Sequence, residues 1–178
     1  MSMRRWLRVL LAAVALLYLA AMYVTGARPG REQFVAFEAA GVMQAAPEEV
    51  RRVEIRRAGR SWRIDRDGAA WTLDAQPLSA AAADHLTLAT KFLHTARPVR
   101  ELAGVEPRDA AFGLQRPALD VTVTRADGSA LVLAFGGPTP DGGLQYMRLD
   151  QGPGGAPVVY LMSGFVGAEW LAAAESLP

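Results

Sequence analysis

The sequence has no cysteine, only two histidines, and one lysine, Lys91, among its 19 basic residues. Without cysteine the chain cannot form disulfides, thiolate metal sites, cysteine nucleophiles or cysteine-linked lipid anchors. A net charge of +1 over 178 residues is too small to indicate nucleic-acid binding, which calls for a strongly basic domain. These absences exclude several function classes before any motif is considered.

Motifs for catalysis are also missing. His85 and His94 lie about 900° apart on an ideal helix, on opposite faces, so they cannot share a metal ion. The segment around Ser163 lacks the glycine that stands two positions before the serine of a nucleophile elbow. The glycine pairs, such as Gly136-Gly137, are not followed by the Lys-Ser/Thr of a phosphate-binding loop. We therefore expect no catalytic residue, cofactor or metal ligand, and no enzyme activity.

Charge is absent from one long stretch near the N-terminus, Val9–Ala27. At 1.5 Å per residue a helix over this stretch would be roughly 28 Å long, close to the hydrocarbon thickness of a bilayer. It predicts a transmembrane helix over 9–27 in contact with membrane lipid, although a cleaved signal peptide stays possible. Arg4, Arg5 and Arg8 precede it, which places residues 1–8 in the cytoplasm and the rest in the periplasm of a bacterial inner-membrane protein.

The remaining chain predicts a linker over 28–49 and an α+β domain over 50–178. Apolar and polar residues alternate from Val53 to Leu73, with turns at Ala58-Gly59 and Asp67-Gly68, which is typical of a meander of half-buried strands. A second set of strands begins at Leu119 and turns at Asp127-Gly128. We expect antiparallel hairpins packed on one main helix and a C-terminal helix.

The main helix is predicted from Ser79, a good N-cap residue, to about His94. Ala82, Leu86, Ala89 and Leu93 share one face of it and are expected to be buried. Ser163 is predicted to cap the final helix. The stretch from Glu101 to Pro117 is expected to be irregular.

Arginine is concentrated in the first predicted hairpin. Four of these residues flank its turn and form the candidate interaction surface: Arg56, Arg57, Arg60 and Arg63. A basic hairpin can bind anionic lipid, a polyanion or an acidic partner. It can equally be a solvated face that protects the sheet edge.

The order of several short motifs resembles one family, the domain of unknown function 4340. The resemblance covers about Val50 to Met162 and rests on these groups: Val53-Glu54-Ile55, Trp62-x-Ile64, Gly68-x-x-Trp71-x-Leu73, Leu93-x-x-Ala96-Arg97-x-Val99, Phe112-Gly113-Leu114-x-x-Pro117, Asp127-Gly128, Leu131-x-Leu133-x-Phe135-Gly136 and Tyr146-x-Arg148. It implies a membrane-anchored protein of the bacterial envelope, found alongside export or gliding-motility components, with no established catalytic residues.

Three functions remain open at this point. The first is a single-pass membrane protein whose periplasmic domain binds membrane or periplasmic proteins, as an accessory subunit of an envelope assembly such as a transporter. The second is a module that binds a glycan or an anionic polymer through the arginine hairpin. The third is an envelope hydrolase whose carboxylates the fold brings together.

Overall fold

The computed structural model describes residues 3–26, 41–150 and 155–178, and within 3–26 the side chains of Trp6, Leu10, Leu11, residues 13–21 and Tyr23. The chain divides into two compact units, Met1–Glu38 and Ala39–Pro178. The first unit contains helix α1, Met3–Gly26. Residue 27 of the predicted transmembrane helix, residues 28–40 of the predicted linker, and residues 151–154 lie outside the described residues.

The prediction of a transmembrane helix needs correction. Within the described part of the chain, no helix combines the length and the apolar character that crossing a membrane requires. The predicted fold class, an α+β protein with an N-terminal transmembrane helix, is therefore wrong. The structure is a nine-stranded antiparallel sheet with three helices.

The described residues of the second unit form nine strands and two helices. Two short 3-10 turns, Pro47–Glu49 and Ala110–Phe112, precede β1 and β6. The elements in chain order are β1 (Val50–Arg57), β2 (Arg60–Asp67), β3 (Ala70–Leu73), β4 (Gln76–Pro77), α2 (Ala80–Thr95), β5 (Arg100–Leu102), β6 (Leu119–Arg125), β7 (Ala130–Pro138), β8 (Leu144–Asp150), β9 (Val158–Ser163) and α3 (Gly164–Glu175).

The strands form one sheet in the order β4-β3-β2-β1-β6-β7-β8-β9-β5. Two meanders, β1–β4 and β6–β9, join where β1 pairs antiparallel with β6. At this seam Val53 lies opposite both Ile64 of β2 and Val123 of β6. The period-two pattern of each meander thus places its apolar residues on the same face of the sheet.

Both helices of this unit contribute to the core on that inner face. Ser79 caps α2, with its Oγ accepting a hydrogen bond from the Ala82 amide at 3.3 Å, as predicted. The predicted apolar face of α2 is buried, and α3 adds the fully buried Trp170. Trp71 of β3 donates its Nε1 hydrogen to Thr87 of α2 at 3.0 Å, which fixes the first meander to the helix layer.

A second, smaller cluster lies on the outer face of the second meander. Residues 103–117, here called the covering segment, run across this face. Leu114 from the segment packs with Ala134 and Val159, and Phe112 stacks on Tyr146 with ring centroids 4.5 Å apart. The outer face is therefore partly covered over β7–β9 and exposed over β1–β2.

Some details differ from the sequence expectations. The stretch expected to be irregular begins with β5, which pairs with β9 at the sheet edge. Residues 41–49, predicted as the end of the linker, include Met43, which is fully buried in the main core. Ser163 stands at the N-cap of α3, but its side chain makes no capping hydrogen bond.

Candidate functional site

The arginine-rich hairpin β1–β2 projects its side chains to two opposite faces. Strand alternation places Arg56 and Arg63 on the outer face and Arg57 on the helix side, next to the inward-facing Ile55. Arg60, at the start of β2, also reaches the helix side, where it contacts the end of the chain. The structure therefore does not bring the four predicted arginines together into one surface.

On the outer face the hairpin carries two cross-strand ion pairs. Arg63 Nε lies 3.0 Å from Glu54 Oε1, and Arg52 Nε lies 2.6 Å from Asp65 Oδ1. Each pair joins directly opposed residues of β1 and β2. Solvent-exposed pairs of this kind contribute about 0–1 kcal/mol each. They balance charge along this face and fit its role as a solvated surface.

On the helix side the hairpin holds the end of α3. Arg57 Nη2 lies 2.8 Å from Glu175 Oε1, and Arg60 Nη2 donates to the main-chain oxygen of Pro178 at 2.5 Å. Trp62 Nε1 donates to the same oxygen at 2.9 Å, and the Arg60 guanidinium lies 4.7 Å from the Trp62 ring centroid. These two arginines are occupied by contacts within the chain.

The sheet also contains a half-buried charge cluster that sequence patterns did not identify. Arg148 of β8 is only 8% exposed, and its Nε lies 3.3 Å from Asp150 Oδ1. Asp120 of β6 occupies the same cross-strand row as Arg148 and Arg56. The alternation of apolar and polar residues in β6 and β8 assigns these side chains to the polar face. We attribute the burial of Arg148 to the covering segment, whose position no local sequence pattern reveals.

Burial dominates the electrostatics at Asp120. It raises the pKa of this carboxyl above its ordinary value, while Arg148, Arg56 and Arg108 oppose the shift and Asp150 adds to it. Arginine stays protonated at all physiological pH values, so Arg148, Arg56 and Arg108 act on Asp120 only as fixed positive charges. We interpret the cluster as a structural charge network that favours one strand register.

Each histidine contacts a different element. His85 Nδ1 lies 2.6 Å from Glu169 Oε1, which links α2 to α3. His94 Nδ1 lies 3.1 Å from the main-chain oxygen of Met43. In the described ranges, no group of three or more His, Cys, Asp or Glu residues is arranged to hold a metal ion.

The first unit presents a very different surface. Large apolar side chains of α1 are between 51% and 77% exposed, on all sides of the helix: Leu10, Leu11, Val14, Leu16, Leu17, Tyr18, Leu19 and Tyr23. Within the second unit, large exposed apolar side chains are few: Leu88, Val99 and Phe165. An exposed group of large apolar side chains of this size favours burial against another apolar surface.

Comparisons with family models, with curated proteins and with solved structures gave no match. The functional assignment therefore rests on the residues and geometry described above.

Proposed function

We propose that this protein is a non-catalytic accessory subunit of a bacterial envelope assembly, which it joins by packing α1 against an apolar surface of a partner protein. The observation that carries this proposal is the exposure of large apolar side chains all around α1. Exposed apolar area costs free energy in water, about 25 cal/mol per Å², so this surface is covered in the working protein.

The surface of the second unit also supports this proposal. Most of its large apolar side chains are buried in two internal clusters, and its charged hairpin makes internal ion pairs. Among the described residues, most of the large exposed apolar side chains therefore belong to α1. The family resemblance of residues 50–162 supports the envelope location and the accessory role.

Photo-crosslinking in intact cells tests the proposal. A photoreactive residue in place of Leu17, which is 71% exposed, is expected to capture one discrete protein at endogenous expression. The same residue in place of Asp67, an exposed position at the end of β2, is the matched control and should not capture it. Adducts from position 17 with lipid alone, or only with second copies of this chain, would refute the proposal.

Co-purification provides an independent check of the same contact. Leu17→Glu places a charge in the apolar surface of α1 and should abolish recovery of the partner, because an unpaired charge is costly to bury. Leu17→Phe keeps the surface apolar and should retain the partner. Equal recovery with both variants would contradict a role for α1 in binding.

The contacts of the arginine hairpin do not favour the hypothesis that it binds a glycan or an anionic polymer. Arg57 and Arg60 are held by Glu175 and Pro178, and Arg63 is paired with Glu54. A polyanion would have to compete with each of these contacts.

A further inference from the structure

A cavity of about 570 Å³ opens at one end of the second unit, on the inner face of the sheet. Its floor contains Leu131, Leu149 and Tyr160 from β7, β8 and β9. One wall is the turn between β6 and β7, with Arg125 and Ser129, and the opposite wall is the segment 41–44. The volume lies within the range of about 300–1,000 Å³ that small-molecule sites occupy.

The wall formed by 41–44 is fixed to the end of α2. The Gly41 amide donates to the His94 carbonyl and the Met43 amide to the Leu93 carbonyl, both at 2.9 Å. A Cβ on residue 41 would lie 2.0 Å from the Leu93 oxygen, so only glycine permits this close approach. The cavity is therefore preformed, which reduces the entropic cost of binding a ligand.

Arg125 gives the cavity a positive group with unused hydrogen-bonding capacity. Its Nε is buried and has no hydrogen-bond partner among the described residues. Within 41–150 and 155–178, Arg125 takes part in no ion pair. Arg125 as a residue is only half-buried and lines the cavity, so the accessible part of its guanidinium can hold an anionic group from outside the chain.

The neighbouring polar groups are two carboxylates, Asp127 and Glu101, and the hydroxyl of Tyr160. Asp127 attracts Arg125 across the turn, but its carboxylate is exposed and accepts hydrogen bonds from the Ser129 hydroxyl and amide. Burial and the nearby Glu101 raise the pKa of the Tyr160 hydroxyl. Tyr160 thus stays neutral at physiological pH and can donate a hydrogen bond.

We propose that this cavity, the Arg125 pocket, binds a small organic anion, with its apolar body on Leu131 and Leu149 and its carboxylate held by Arg125. The pocket lies wholly within the second unit and is independent of the partner contact of α1. The protein would then bind a small molecule as well as its partner protein.

The test uses 2-naphthoate, which has one carboxylate on an apolar body, with the full chain in a non-ionic detergent. Amide chemical shifts in ¹H–¹⁵N NMR spectra should change on titration at Gly41, Gly128 and Ser129. Arg125→Gln should weaken binding about tenfold or more, because a charge-assisted hydrogen bond is lost. Arg51→Gln, at an exposed arginine on β1, is the matched control and should bind like the wild type.

The neutral analogue 2-naphthamide separates charge recognition from apolar contact. It should bind the wild type and Arg125→Gln with equal affinity. Gln44→Glu and Gln44→Met both remove the hydrogen bond from Gln44 Nε2 to the Gly41 carbonyl. Only Gln44→Glu, which adds a negative charge at the exposed rim, should weaken naphthoate binding, even if Arg125→Gln fails to fold. No shift changes up to millimolar naphthoate, changes at amides away from the pocket, or undiminished binding by Gln44→Glu or a folded Arg125→Gln would overturn the proposal.

Discussion

The two meanders of the sheet share one apolar inner face and differ on the outer face. In the first meander, β1–β4, this face is open and carries the Arg52–Asp65 and Arg63–Glu54 ion pairs. In the second, Ala134 and Val159 are buried there beneath the covering segment. A continuous sheet can thus have one buried face at one end and two buried faces at the other. The covering segment, which precedes β6, determines which strands are buried on both faces.

The largest loss of stability is expected from a substitution that disrupts the contact between the covering segment and β7. A Cβ on residue 136 would lie 2.2 Å from the main-chain oxygen of Phe112, and neither backbone can move without disturbing the other. Gly136→Ala should therefore lower the free energy of unfolding by about 3 kcal/mol, measured by urea denaturation. Gly143→Ala, where a Cβ would meet nothing within 4 Å, is the control and should be nearly neutral.

The next largest effect is expected at Leu114, and it measures how much the packing of the covering segment contributes to stability. Leu114 is 1% exposed, and Leu114→Ala should cost about 2–3 kcal/mol of unfolding free energy, because it removes buried area and leaves a cavity. Leu88→Ala, at a position 39% exposed, should cost much less. If both variants lose only about 0.5 kcal/mol, the second cluster is not a true core and the contrast between the two meanders fails.

The open meander has a turn that can be improved. Ala58 has φ 49° and Gly59 has φ 80°, so both central residues of the β1–β2 turn are left-handed, as in the two-residue hairpin turns that favour Asn-Gly. A left-handed alanine costs roughly 1 kcal/mol. Ala58→Asn should raise the unfolding free energy by about that amount.

The control for this change lies in the turn of the covered meander. Ala126 is exposed and is not among the residues with positive φ, so Ala126→Asn should change the unfolding free energy by no more than about 0.5 kcal/mol. An equal gain from both substitutions would show that the effect comes from asparagine itself and not from the backbone of the β1–β2 turn.

Sequence patterns predicted the turns and helices that depend only on neighbouring residues. The hairpin at Asp127-Gly128 and the helix capped by Ser79 need only turn chemistry and periodicity, and both are confirmed. Features that depend on distant residues were not predictable. Arg57 and Arg60 bind Glu175 and Pro178, each 118 positions away, so the hairpin could not be divided into its two faces from spacing alone.

The covering segment shows the same limit. Its residues carry no strand or helix periodicity beyond a short 3-10 turn, and their burial depends on a surface made by β7, β8 and β9. The burial of Arg148, and with it the charge cluster of the site, follows from this segment. The apolar character of α1 was visible in composition, but it was interpreted as a transmembrane helix, which the structure contradicts.

The smallest expected effect concerns Asp120, in the row of Arg148. Burial, as the largest cause, raises its pKa above the ordinary value of 3.8, so the folded protein binds its proton more tightly than the unfolded chain. The stability that this group contributes is present below pH 3.8 and is lost as the pH rises through its higher folded-state pKa. At pH 7 the ionised Asp120 therefore lowers stability slightly.

Asp120→Asn removes this unfavourable charge. Compared with the wild type, it should be slightly more stable at pH 7, with a difference that shrinks to nothing as the pH falls toward 3. Asp127→Asn is the control of opposite sign, because hydrogen bonds from Ser129 lower the pKa of Asp127 and its contribution is present above pH 3.8 and lost in acid. Thermal unfolding between pH 7 and pH 3 measures both. If Asp120→Asn loses stability at pH 7, attraction to Arg148 and Arg56 outweighs burial, and the cluster is a net stabilising part of the outer face.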